Sequence, residues 1–132
     1  MLLRTKLLII LLLLFPVHGA WAKELNLKCE NKDGRMDIII DLKKKTMTNA
    51  HGLSFSNIRI TSGLFSGEVP QFLIDQVNRE NIAAGGTYQI ETQTFKIYRD
   101  NGSFERITKG LGSLKTETIY GNCEQTSSKK KF

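Results

Sequence analysis

The stretch YQIETQTFKIYRDNGSFERIT, residues 88–108, decides the fold. Tyr88, Ile90 and Thr92 alternate with Gln89 and Glu91, and Phe95 and Ile97 alternate with Lys96 and Tyr98. A period of two marks a strand with one buried face. Asp100-Asn101-Gly102-Ser103 follows, and its Asn-Gly pair suits a two-residue type I′ turn. Phe104–Thr108 then returns as the second strand of a hairpin.

The same period runs outward from this hairpin. Upstream, Leu25, Leu27 and Cys29 alternate with polar residues, and Asn31-Lys32-Asp33-Gly34 turns the chain. Met36, Ile38, Ile40 and Leu42 share the next buried face, with Asp37, Ile39 and Asp41 opposite. Lys43–Lys45 turns again, Thr46–Asn49 returns, and His51-Gly52 breaks the run. Leu53, Phe55, Ile58 and Ile60 follow, with a register shift near Ser56-Asn57 that implies a bulge. Downstream, Gly110-Leu111-Gly112 loosens the chain and Lys115–Cys123 forms a last strand. The pattern predicts an all-β domain, a small antiparallel barrel or sandwich of seven to eight short strands.

One segment reads two ways. Gln71–Asp75 suits a strand with Asn78–Asn81 as its turn, and this is the first reading. Val69, Phe72, Leu73, Gln76 and Val77 also fall at helical spacing, with Pro70 at the start and Gly85-Gly86 as a stop. A short helix near residues 70–80 is the second reading.

The ends set the context. Arg4 and Lys6 precede an unbroken apolar run, Leu7–Phe15, and Ala20-Trp21-Ala22 follows. That is the layout of a secretory signal peptide over residues 1–22, cleaved before Lys23. A run of nine is too short to span a bilayer, so no stable membrane insertion is expected. Residues 23–124 make a single disulfide-closed domain, and 125–132 (QTSSKKKF) read as a disordered basic tail. The formal charge of +6 comes largely from the ends. With the leader gone and Lys129, Lys130 and Lys131 set aside, bases and acids nearly balance. A nucleic-acid partner is therefore not expected.

Cys29 and Cys123 are the only cysteines. In an exported chain an even pair implies a bridge, and so a periplasmic or secreted location. A loop of this length constrains the unfolded chain by about 4.7 kcal/mol in the chain-entropy account. No C-x-x-C spacing is present, and cleavage leaves His51 as the one histidine, so no metal site and no cofactor are expected.

Candidate chemistry is sparse. His51 lies in a polar turn without a nucleophile beside it. Asp37 and Asp41 share a strand but stand roughly 13 Å apart and face away from the apolar side. Asp75 and Glu80 flank Arg79, as in a cap or salt bridge. Asn101-Gly102-Ser103 matches a glycosylation acceptor, though the hairpin already accounts for these residues. No catalytic residue is assigned. Binding falls to the loops around His51, Ser62–Gly67 and Ala84–Tyr88. Within Ser62–Gly67, Leu64 and Phe65 are expected to plug one end of a barrel.

The early cysteine, the many short strands and the terminal Gly121-Asn122-Cys123 resemble small exported single-disulfide β-proteins of Gram-negative bacteria. Some of these carry a central Ile-Asp-Arg-x-x-Gly element. Ile74-Asp75 matches its start, with Gln76 in place of the arginine. Ala84-Gly85-Gly86-Thr87-Tyr88, followed by Phe95–Gly102, is similar to the Ser-Gly-x-x-Tyr loop and aromatic strand of periplasmic inhibitors of C-type lysozyme. That resemblance implies a flattened eight-stranded barrel and a binding loop at Gly85, Gly86 and Tyr88. Ala84 replaces the family's serine and removes a hydroxyl donor. The expectation is an exported, non-catalytic β-domain that binds a protein or glycan partner in the cell envelope. The alternative is an inhibitor or immunity protein acting on a lysozyme-like cell-wall hydrolase.

Overall fold

The computed structural model describes residues 24–126 apart from Ser113. The expected signal peptide, residues 1–22, and tail residues 127–132 lie outside the described residues. Nine elements follow in chain order: β1 (Glu24–Asn31), β2 (Gly34–Asp41), β3 (Thr46–Asn49), β4 (Ser56–Ile60), β5 (Leu64–Glu68), α1 (Gln71–Ala83), β6 (Ile90–Tyr98), β7 (Ser103–Gly110) and β8 (Glu117–Gln125). The eight strands form one antiparallel sheet in the order β3-β2-β1-β8-β7-β6-β5-β4. The chain thus winds up and down, and the sheet rolls into a nearly closed barrel.

The barrel has two seams. At one, β1 pairs with β8 from Leu27↔Gln125 to Asn31↔Gly121. Cys29 and Cys123 are directly opposite there and are joined by the disulfide. At the other, β3 meets β4 through a single bridge, Thr48↔Ser54. The Phe55 N–H donates to the Met47 carbonyl at 2.9 Å, and beyond it β4 shares a ladder with β5 alone among the described residues.

Alternation fills the interior as the sequence indicates. Leu27, Ile38, Ile40, Phe65 and Ile97 are fully buried beside the disulfide. Phe95 is the hub of an aromatic group, with Phe55 at 5.3 Å and Phe104 at 5.7 Å between ring centroids. Gly67 gives Phe55 room, since a Cβ there would lie 2.9 Å from the Phe55 Cβ. Interiors this dense leave little slack for a change of side-chain volume.

Several expectations are corrected. Gln71–Ala83 is a helix, which bears out the second reading near residues 70–80 and overturns the strand and turn. Ile74 is its only buried residue, and Asn78 and Asn81 are not turn formers here. The Asn78 amide takes both backbone groups of Ile90: Nδ2 donates to its carbonyl at 2.8 Å, and its N–H donates to Oδ1 at 2.8 Å. Asn81 Nδ2 donates to the Tyr88 carbonyl. The asparagines thus act as a short surrogate strand beside β6, satisfying groups that β5 does not reach. Gly85, at φ 89°, ends the helix. Its N–H donates to the Ile82 carbonyl at 3.0 Å, and the Gly86 N–H to the Asn81 carbonyl at 2.8 Å. That is a Schellman stop.

Ser62–Gly67 is not a surface loop. From Leu64 onward it is β5, with Phe65 pointing into the barrel and paired with Ile97. The hairpin at Asn101-Gly102 is not a type I′ turn. Of that pair only Gly102 has positive φ, 75°, and its N–H donates to the Tyr98 carbonyl at 2.8 Å. The loop is therefore four residues long, Arg99–Gly102. The last strand starts at Glu117 and runs through Gln125, and the Thr126 N–H donates to the Asn26 carbonyl at 2.9 Å, so the barrel extends past residue 124. The bulge expected near Asn57 is present: the register shifts between Ser56 and Arg59, and Asn57 has φ 49°.

Candidate functional site

Strand directions sort the connections into two ends. One end carries the β2–β3, β4–β5 and β6–β7 turns. The other carries the β1–β2 turn, the β3–β4 connection, α1 with residues 84–89, and the β7–β8 connection. At the first end Arg99 closes a corner. Its guanidinium stacks 4.4 Å above the Phe65 ring, and Nη1 donates to the Thr61 carbonyl at 2.6 Å. At the second end Arg106, on the inner face of β7 with Phe104, reaches Asp33 in the β1–β2 turn at 2.5 Å. This pair covers a cavity of about 100 Å³ that extends to Cys29.

The α1 end holds the site. Six of the seven large apolar side chains left exposed among the described residues lie there: Phe72, Val77, Ile82, Tyr88, Leu111 and Leu114. Two backbone ties organise them. The Leu111 N–H donates to the Gln89 carbonyl at 2.9 Å, and the Tyr88 hydroxyl donates to the Lys115 carbonyl at 3.1 Å. A groove of about 380 Å³ runs between α1 and residues 89–91 and 111. Its floor is Ile82, Ile90 and Leu111, and its rim holds Asp75, Arg79 and Glu91. Glu91 pairs with Lys109 at 3.0 Å, and Asp75 accepts a hydrogen bond from Gln71. The groove thus combines an apolar floor with a polar rim, a lining that can hold a complementary surface.

No family model matches this chain. No curated protein and no solved structure matches it either.

The structure distributes the expected site residues unevenly. Tyr88 lies at the rim of this end and is half-exposed. Gly85 and Gly86 are the helix stop, which accounts for them without a ligand. His51 is exposed in the β3–β4 connection, where its N–H donates to Asn49 Oδ1. Asp41 caps the β2–β3 turn by accepting from the N–H groups of Lys43 and Lys44, and Asp37 faces Arg35 at 3.6 Å. Among the described residues no group of His, Cys, Asp or Glu side chains is arranged to hold a metal. On the outer wall the Tyr98 hydroxyl donates to Glu105 at 3.2 Å, and burial together with that carboxylate pushes it above the usual phenol range.

Ile82 and Leu111, which with Ile90 make the apolar part of the groove, do not stand out in the sequence. Leu111 and Leu114 sit among glycine and serine in a segment that reads as loop, and Ile82 lies where the first reading had passed beyond a turn. The available signal is helical spacing: Asn78 and Ile82 are four apart, so a helix places both on one side.

Proposed function

We propose that this chain is an exported binding domain that grips a protein partner of the cell envelope with the α1 end of its barrel and performs no chemistry of its own. One observation carries the reading. Six of the seven large apolar side chains exposed among the described residues lie at one end, on a helix and two tied loops, while the barrel beneath is filled with side chains. Exposed apolar groups scattered singly are ordinary on a protein surface, but a gathered set rimmed by charge marks an interaction surface. The disulfide supports export, since such bonds persist in oxidising compartments. Among the described residues no helix is long and apolar enough to cross a membrane.

The test is affinity capture from an envelope extract with the purified protein and with an Ile82→Glu/Leu111→Glu double variant. Both side chains are about half exposed, so the variant should keep its fold and its disulfide. The reading expects a partner retained by the wild type and lost by the variant. Identical capture by both, or capture of nothing, overturns it.

A second reading keeps Tyr88 as the central contact, because its ring stands at the rim with its hydroxyl fixed on Lys115. In that reading the protein inhibits a C-type lysozyme or a related cell-wall hydrolase, and Tyr88→Ala abolishes inhibition. An enzyme assay with hen-type lysozyme separates the two readings.

A further inference from the structure

The wall at the β1–β8 seam differs in chemistry from the α1 end. An open groove of about 430 Å³ runs along it. Lys28 and Glu30 border it from β1, and Tyr120, Asn122 and Glu124 from β8. These side chains face outward because Leu27, Cys29, Ile119 and Cys123, which alternate with them, are buried. Tyr120 is 70% exposed, the seventh exposed large side chain and the one that stands apart from the α1 end. At Gly121 β1 passes so close that a Cβ would collide with the Glu30 carbonyl.

Some polar side chains elsewhere are engaged. Asn49, Asn78, Asn81, Asp33 and Asp41 all hold backbone groups or a charge partner. Around the groove, the side chains of Lys28, Glu30, Tyr120, Asn122 and Glu124 make no hydrogen bond or ion pair with any described residue. Four polar groups around one exposed ring, and the ring's own phenol, therefore have unused capacity. They supply acceptors (the carboxylates), donors (the ammonium) and groups that do both, the amide and the phenol.

We propose that this groove binds an oligosaccharide, with a pyranose ring laid on Tyr120 and its hydroxyls held by Glu30, Asn122, Glu124 and Lys28. A sugar presents apolar C–H faces and hydroxyls that both donate and accept, which matches this lining group for group. Protein interfaces are depleted in Lys and Glu, so apart from Tyr120 the lining departs from a protein-docking patch. Two carboxylates against one ammonium also disfavour a phosphate backbone. The site is rigid before the ligand arrives. The Cys29–Cys123 disulfide locks the two strands directly beneath it, and Glu30 and Asn122 are cross-strand partners. Preorganisation of that kind reduces the ordering cost of binding. The groove lies on the wall, away from Ile82 and Leu111, so this inference stands independently of the protein partner proposed for the α1 end.

The probes are two neutral oligosaccharides, tetra-N-acetylchitotetraose and cellotetraose, titrated into isotopically labelled protein with its disulfide intact. Amide shifts should move at Lys28–Asn31 and Tyr120–Glu124 with at least one probe, with a dissociation constant on the order of 1 mM. Tyr120→Ala should weaken that binding by about tenfold, whereas Tyr120→Phe, which keeps the ring, should retain most of it. Asn122→Ala tests the hydrogen-bonding half of the site with the ring untouched. No shift with either probe, shifts located elsewhere, or equal binding by Tyr120→Ala each overturn the proposal.

Discussion

The barrel and the helix are built on opposite terms. The barrel encloses four phenylalanines, its aliphatic side chains and a disulfide, and every strand is hydrogen-bonded to a neighbour. The helix α1 buries one residue, Ile74, and is otherwise moored by asparagine amides on the backbone of Ile90 and Tyr88. Stability therefore resides in the barrel, and most of the exposed large apolar groups lie at the end that α1 covers. That division is common where a rigid scaffold carries a binding surface.

Breaking the barrel should cost the most. Phe95 touches both Phe55 and Phe104, so Phe95→Ala opens a cavity at the hub and should lower stability by about 3–5 kcal/mol in a denaturant titration. Replacing Cys29 and Cys123 with serine should cost about 2–5 kcal/mol, read in the same titration. Asn78→Ala leaves two backbone groups of Ile90 without partners and should cost about 1–3 kcal/mol. Its effect should be concentrated in α1, visible as lost helical signal before the barrel melts. Phe72→Ser, on an exposed site of α1, should change stability by less than about 0.5 kcal/mol. If Phe72→Ser proved as costly as Asn78→Ala, the helix would be packed on something and the contrast would fail.

A smaller effect belongs to the wall. The Tyr98 phenol is held above its ordinary value by burial, then by Glu105. An acid with a raised folded value contributes its full stability below the unfolded value, about 10, and loses it as pH rises through the folded value. Stability should therefore decline on the alkaline side, and Tyr98→Phe should flatten that decline in a series of melts across alkaline pH.

How far the sequence could be read follows from the same division. Barrel strands announce themselves because their two faces differ. Phe95 and Ile97 must be apolar and Lys96 need not be, so the period of two survives in the letters. The pairing of Cys29 with Cys123 follows from there being two cysteines. β5 was hidden because Gly63 and Gly67 bracket Leu64 and Phe65, and glycine there serves the close approach of Phe55 as well as turns. The Asn-Gly pair gave the hairpin but not its loop, since only Gly102 adopts positive φ and the turn takes in Arg99 and Asp100. The helix was obscured for a chemical reason. Asn78 and Asn81 carry turn propensity as residues, yet here their amides substitute for a strand edge, a role visible only once Ile90 lies beside them. The candidate site was least legible, because Ile82, Tyr88 and Leu111 come from separate segments and are brought together by the closure of β6 and β7.

Native-state hydrogen exchange puts the division between barrel and helix to the most direct test. Amides of Gln71–Ala83 should exchange through a local opening, about a hundredfold or more faster than those of Cys29 and Ile97, which should require global unfolding. Equal protection in α1 and in the barrel strands would contradict the account, because it would show the helix to be an integral part of the core and not a lightly moored surface element.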